Sequence, residues 1–206
     1  MNIEKIISFS MDQNCYLVYR DIKSAVLIDP GIDTEKILKV IKEKGVNVTD
    51  ILLTHEHYDH VHSVNDLRDG KRLITSKECS KNIGSSSYNL SLCAGKGFEI
   101  APADKIVSDG EVFIAGGIEF TAIETPGHTN GSMCFLAEDN LFSGDTLFLR
   151  SVGRWDLPTG NEQVLRESIK NKLYTLPDDT KIFAGHGNDS IIGYEKSFNM
   201  FVTSNN

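Results

Sequence analysis

The sequence is poor in everything that marks a secreted, membrane-bound or nucleic-acid-binding protein. Its four cysteines, Cys15, Cys79, Cys93 and Cys134, lie far apart with no CxxC pair. That spacing argues against a thiolate zinc site and offers no disulfide framework, so they read as small buried hydrophobes of a reducing compartment. No window approaches the roughly 18 apolar residues of a membrane span. The opening MNIEKIISFSMDQNCYLVYR lacks the basic start, apolar core and small-residue cleavage site of an export signal. A cytoplasmic location with no membrane partner is therefore expected. Basic runs are missing as well: the formal net charge is -8, and without clustered Lys and Arg a chain holds phosphate backbones poorly, so no nucleic acid is expected. Nor is there a GxSxG segment, the elbow that exposes a serine nucleophile.

What is present is enough for one domain. With 206 residues, 40% of them hydrophobic, residues 1–206 are expected to form a single unit around a full-sized core. CYLVY and SAVLID read as a hairpin around RDIK, and DTEKILKVIKEKG as a helix capped by Asp33, faced by Ile37, Val40 and Ile41, and stopped by Gly45. Strands ILLT and KRLIT follow. Residues 76–105 contain GSSSYN and AGKG and show no sustained periodicity, which predicts an insertion or lid. From Glu111 the pattern is all-β: EVFI, the turn AGG, IEFTAIET, SMCFLAE and LFSGD. NEQVLRESIKNKLY, with Leu165, Ile169 and Leu173 at four-residue spacing, is a helix, KIFAG a last strand, and SIIGYEKSFNMF a last helix with Tyr194, Phe198 and Phe201 on one side. The order is that of an α/β (α+β) protein with two β-rich halves, each finished by helices.

The distinctive polar groups all follow the carboxyl end of a strand: Asp29 after AVLI, His55 after DILLT, His128 after FTAIETPG, Asp145 after LFSG and His186 after KIFAG. Side-by-side strands would bring them to one rim, where open sheets covered by helices place their ligands. Four of the six histidines crowd into THEHYDHVH, residues 54–62. In an extended segment His55, His57 and Asp59 would point one way, with His60 following around the turn. Imidazoles packed together repel once protonated and are costly to bury unpaired; a divalent cation removes both problems. Nitrogen and carboxylate ligands suit zinc, with iron or manganese as other occupants. His55, His57, His60, His128, His186, Asp59 and Asp145 are too many ligands for one tetrahedral ion and about right for two. His62 lies beyond the run and reads as solvated or as an outer partner.

His55-x-His57-x-Asp59-His60, TPGHT around His128, SGDTLF around Asp145 and AGHG around His186 resemble the metallo-β-lactamase fold superfamily, in the expected order over nearly the whole chain. GRWDLPTGN and TLPDDTKIFAGHG are similar to its glyoxalase II (hydroxyacylglutathione hydrolase) branch. The resemblance implies a four-layer αββα sandwich and two divalent metal ions, most naturally Zn2+. It puts one on His55, His57 and His128 and the other on Asp59, His60 and His186, with Asp145 as the bridge. Asp59 and His60 are accordingly expected to be catalytic as well as ligating. Asp29 matches a carboxylate that accepts an N–H from a ligand histidine, and Glu56 stands at a non-ligand position. Arg154 occupies a place where such proteins carry a basic residue near the substrate, to grip a carboxylate or to pair with Asp156; Tyr194 is a second candidate contact.

The expected reaction is attack of a metal-activated hydroxide on the acyl carbon of a small-molecule thioester. A thiol of pKa about 8.5 leaves as thiolate with little acid assistance. The alternative on the same fold is a mononuclear-iron persulfide dioxygenase, followed by a lactonase; a β-lactam hydrolase, an RNA-processing enzyme and a non-catalytic metal module are weaker readings.

Overall fold

The computed structural model describes residues 1–203; the last three of the expected 1–206 unit lie outside them. Six strands, β1 (Asn2–Ile7), β2 (Asn14–Asp21), β3 (Ser24–Ile28), β4 (Val48–Leu52), β5 (Arg72–Thr75) and β6 (Lys105–Ile106), form the first sheet in chain order. The second contains β7 (Val112–Ala115), β8 (Ile118–Glu124), β9 (Met133–Ala137), β10 (Asn140–Gly144), β13 (Lys181–Ala184) and β14 (Ser190–Ile191), in the order β14-β13-β10-β9-β8-β7. A small hairpin, β11 (Leu147–Phe148) with β12 (Ser151–Val152), interrupts it. The helices are α1 (Thr34–Lys44), α2 (Tyr58–Val61), α3 (Val64–Leu67), α4 (Lys77–Asn82), α5 (Glu162–Asn171) and α6 (Ile192–Phe198).

Strand alternation builds the layers. Along β2 and β3, Leu17, Ala25 and Leu27 face a core shared with Ile37 of α1, whereas Tyr16, Val18, Val26 and Ile28 face the other way. The second set meets Phe113, Phe120, Phe135 and Phe142 from the second sheet. On that sheet's far side Cys134, Leu141 and Ile182 pack against Leu165 and Ile169 of α5 and Ile192 of α6. A period-2 pattern sends successive residues to opposite faces, so three cores separate four layers: the αββα sandwich. Phe142 lies at the centre of the middle core, fully buried against Tyr16 and Phe183. Phe142→Ala is expected to cost about 3–5 kcal/mol, measured by urea unfolding.

The local signals were mostly followed. Gly45 ends α1 in the left-handed region (φ 64°), and Gly116 and Gly117 (φ 55° and 71°) make the two-residue β7–β8 turn that both positive angles favour. Two expectations need correction. Asp33 sits at the start of α1 but makes no side-chain cap; its carboxylate accepts the Phe9 N–H at 2.7 Å instead. Within residues 76–105, Ser76 caps α4 by accepting the Cys79 N–H, and Cys79, Ile83 and Ile100 enter the first core. The final helix buries Ile192 and Glu195 and leaves Tyr194 and Phe198 outside, their rings tilted against each other with centroids 4.9 Å apart. Among the described residues no helix is long and apolar enough to cross a membrane.

Candidate metal centre

The strands preceding the candidate ligands run in one direction within each sheet. β3 and β4 are parallel neighbours, as are β10 and β13, and β8 lies two antiparallel steps from β10. Their carboxyl ends therefore share a rim, and the next few residues of each carry the polar groups. Asp29, just past β3, adopts the left-handed region (φ 50°) and turns its carboxylate across to the β4 end. There it accepts the Thr54 N–H at 2.7 Å and the Thr54 hydroxyl at 2.6 Å. Its Oδ2 also accepts His60 Nδ1–H at 3.0 Å. The extended alternation expected through Asp59 stops at His57, where backbone geometry is still extended; α2 begins at Tyr58 and carries Asp59 and His60 on its single turn.

Three overlapping sets of three form, one of them Asp29, His55 and His60, whose Asp29 carboxylate is already engaged by Thr54 and His60. His55, His57 and His128 bring ligand atoms within 4.8 Å of one another, and so do Asp59, His60 and His186. Asp145 lies between them: its Oδ1 is 3.3 Å from His60 Nε2, and its Oδ2 is 3.6 Å from His186 Nε2 and 3.7 Å from His128 Nε2. Asp59 Oδ2 faces His186 Nε2 at 3.2 Å.

Hydrogen bonds on the outward side orient the rings. His128 Nδ1–H donates to the Arg154 carbonyl at 2.7 Å, His186 Nδ1–H to the Met11 carbonyl at 3.2 Å, and His60 Nδ1–H to Asp29. The Thr54 hydroxyl hydrogen goes to Asp29, so its oxygen accepts from His55 Nδ1 at 3.1 Å. These four rings thus turn an Nε2 lone pair inward. Asp29→Ala removes the acceptor that orients His60 and is expected to weaken metal binding roughly 10–100-fold, read by competition with a chromogenic chelator; unchanged affinity would contradict that role.

The donor set fits a pair of cations. His55 Nε2 and Asp145 Oδ1 are buried without a hydrogen-bond partner, a costly state unless something else is bound. His57 Nδ1 lies 2.9 Å from His128 Nε2, and His60 Nε2 3.3 Å from His186 Nε2. Nitrogens about 2.0–2.1 Å from one tetrahedral ion stand at a similar separation, roughly 3.3 Å.

Electrostatically the halves differ. Burial, reinforced by the neighbouring imidazoles, holds His55 well below the usual histidine range and takes His57 down to about 3. His128 is also lowered, chiefly by burial. All three are neutral and able to donate lone pairs at neutral pH. In the other half burial opposes ionisation, but the charges outweigh it: Asp145 and Asp59 raise His60 and His186, and these histidines lower both carboxylates.

The centre opens into a cleft of about 380 Å³ lined by Met11, Tyr58, Leu90, Cys93, Leu157 and Arg154 beside the ligands. Arg154 lines both the cleft and an adjoining depression shared with Trp155 and Asp156, and its guanidinium is paired to Asp156. Tyr194 does not line it; that ring borders a separate groove with Leu149, Asp189 and Ile191. His62 is exposed and stands edge-on to Phe98 at 5.4 Å.

Two supports carried no signal that the sequence reading used. Glu56, between two ligand histidines, is buried on the opposite side of the loop and accepts from Asn82 Nδ2 at 2.8 Å and Thr129 Oγ1 at 2.9 Å, tying the 55–60 loop to α4 and the His128 loop. Its place in the middle of His-x-His was the available clue. Asn14 donates from its backbone N–H to the Gly185 carbonyl at 2.7 Å, and from its side chain to the carbonyls of Ala184 and Gly187. It thereby clamps the His186 turn from the other sheet.

The family profile described as the metallo-beta-lactamase superfamily matches residues 11–186. The chain belongs to that superfamily. Within the metallo-beta-lactamase superfamily it is 36% identical over 214 residues to the hydroxyacylglutathione hydrolase GloC of Haemophilus influenzae, covering 99% of each chain. Among solved structures it is similar to the BLEG-1 B3 metallo-beta-lactamase, with TM-score 0.92 and 34% identity over 98% of this chain and 100% of that one. It is also similar to TTHA1623 in a di-iron-bound form, with TM-score 0.84 and 30% identity over 97% of this chain and 100% of that one.

Proposed function

We propose that this protein is a metal-dependent hydrolase of small-molecule thioesters, similar in activity to glyoxalase II. The observation that carries the reading is one carboxylate, Asp145, set between two three-residue ligand sets in a cleft wall. His55, His57 and His128 would hold one divalent cation and Asp59, His60 and His186 the other, with Asp145 shared. A pair of such ions, Zn2+ by donor type or iron as in the di-iron-bound form of TTHA1623, would supply a hydroxide at neutral pH and a Lewis acid for an acyl oxygen.

The chain's own side chains do the rest. Asp59 is ionised at neutral pH and lines the cleft, so its carboxylate would accept a hydrogen bond from attacking water, with His60 and His186 beside it. Tyr58, Leu90 and Leu157 give the acyl group an apolar wall. Leu90 and Cys93 come from residues 76–105, which fits a covering segment over a single hydrolase domain. A thiolate leaving group needs no strong acid, and this arrangement of side chains offers none. The relative named hydroxyacylglutathione hydrolase supports the thioester bond, and four free cysteines fit a reducing, cytoplasmic setting.

The test is metal content together with a substrate panel on one preparation. The expected result is two metal ions per chain, hydrolysis of S-lactoylglutathione or another thioester, and no oxygen uptake. One iron per chain with oxygen consumed on glutathione persulfide would replace this reading with the dioxygenase. Faster opening of acyl lactones or β-lactams than of any thioester would replace it with those activities.

A further inference from the structure

The cleft's charge is uneven in a way that bears on which thiol carrier it accepts. Of its lining residues Asp59 and Asp145 are acidic and Arg154 is the only Lys or Arg among the described residues there. That one cation is taken. Arg154 Nε donates to Asp156 Oδ1 at 2.7 Å and Nη2 to Asp156 Oδ2 at 2.8 Å, the two-point pairing a guanidinium makes with any carboxylate. Asp156, which borders an adjoining depression with Arg154 and Trp155, thus fills the Nε/Nη2 edge that a substrate carboxylate would use for the same two-point pairing.

The pair is held on a built wall. Three hydrogen bonds tie its loop to the His128 turn: His128 Nδ1 to the Arg154 carbonyl at 2.7 Å, Asn161 N to Gly127 O at 2.8 Å and Asn130 N to Thr159 Oγ1 at 3.1 Å. Trp155, between the two charged residues, packs into the outer core and meets Phe201 edge-on at 6.1 Å. The loop also closes on itself, from Gly160 N to Leu157 O at 2.9 Å. A side chain at Gly160 would strike the Trp155 carbonyl at 2.2 Å.

We propose that Asp156 is a specificity-determining residue: by occupying the Arg154 guanidinium it disfavours thiol carriers with a free carboxylate and leaves uncharged carriers unaffected. Resting on the thioester-hydrolase reading, this narrows its substrate class to thioesters whose carrier near Arg154 is neutral. Because both side chains are more than half exposed, the pairing is modest and a carboxylate carrier is disfavoured, not excluded.

The probes are two thioesters with one acyl group, S-lactoylglutathione and the S-lactoyl thioester of N-acetylcysteamine, assayed on metal-replete protein. Asp156→Asn is expected to raise the kcat/KM ratio of the glutathione ester to the neutral ester roughly three- to fivefold, the size of an exposed ion pair, through KM. In an Arg154→Gln background the same change is expected to leave the ratio where it was. An unchanged ratio in Asp156→Asn, or an equal rise with and without Arg154, overturns the inference while the hydrolase reading stands. Failure of wild-type protein of verified metal content to cleave either ester overturns both.

Discussion

Asp145→Ala is expected to abolish the proposed thioester hydrolysis, with a loss beyond the roughly hundredfold that outer partners of a metal site cost, and to lower bound metal from two ions per chain to one or none. The carboxylate does two jobs. It lies within 3.7 Å of nitrogens from both ligand sets, and it heads the charges that raise His60 and His186 against their burial. Without it those imidazoles face each other across the centre at 3.3 Å with less countercharge, so the second cation loses a ligand and the site its balance. Asp145→Asn keeps the shape and removes the charge, and it is expected to fall nearly as far. Activity and metal content are measured on the same sample, with circular dichroism to confirm the fold. Retained turnover in a variant of verified metal content would contradict the bridging role.

Gly185→Ala is the second large effect, although it replaces no ligand. A Cβ there would lie 2.2 Å from Asp145 Oδ1 and 2.6 Å from His60 Cε1, distances that neither atom can keep. The neighbouring backbone cannot yield readily, because Gly185 N donates to Gly144 O at 2.8 Å and its carbonyl accepts from Asn14 N at 2.7 Å. The ligands must move, and displacement of reacting groups by about 1 Å costs on the order of a hundredfold in rate. The expected outcome is that loss in kcat/KM with metal affinity reduced. Gly84→Ala, whose Cβ comes no nearer than 3.4 Å to any atom, is expected to change neither. Equal behaviour of the two variants would show that the Gly185 contact is not decisive.

Much of the architecture was legible because it rests on local rules. Alternation in CYLVY and SAVLI gave the strands, spacing in NEQVLRESIKNKLY gave α5, and Gly45 gave a helix end. The departures came where a distant group competes with a local preference. Asp33 has a capping side chain, yet it serves the Phe9 amide. Tyr194 and Phe198 look like a core stripe, but the stable packing of α6 turns Ile192 and Glu195 inward, with Glu195 accepting from Arg150 N at 2.8 Å and Asn199 Nδ2 at 2.9 Å.

By itself the sequence determined the kind of chemistry available here: a dense set of imidazoles and carboxylates following strand ends, in a chain without a serine elbow or thiolate pair. Side-chain type fixes which ions and bonds a residue favours, and periodicity fixes which face it takes, so both are readable along the chain. Only the tertiary structure decided which nitrogen of each histidine turns inward, that Glu56 and Asn14 hold the ligand loops, and that Arg154 is already engaged by Asp156. Those depend on partners far away in sequence, where a tenth of a nanometre separates contact from none, and no local preference encodes that distance.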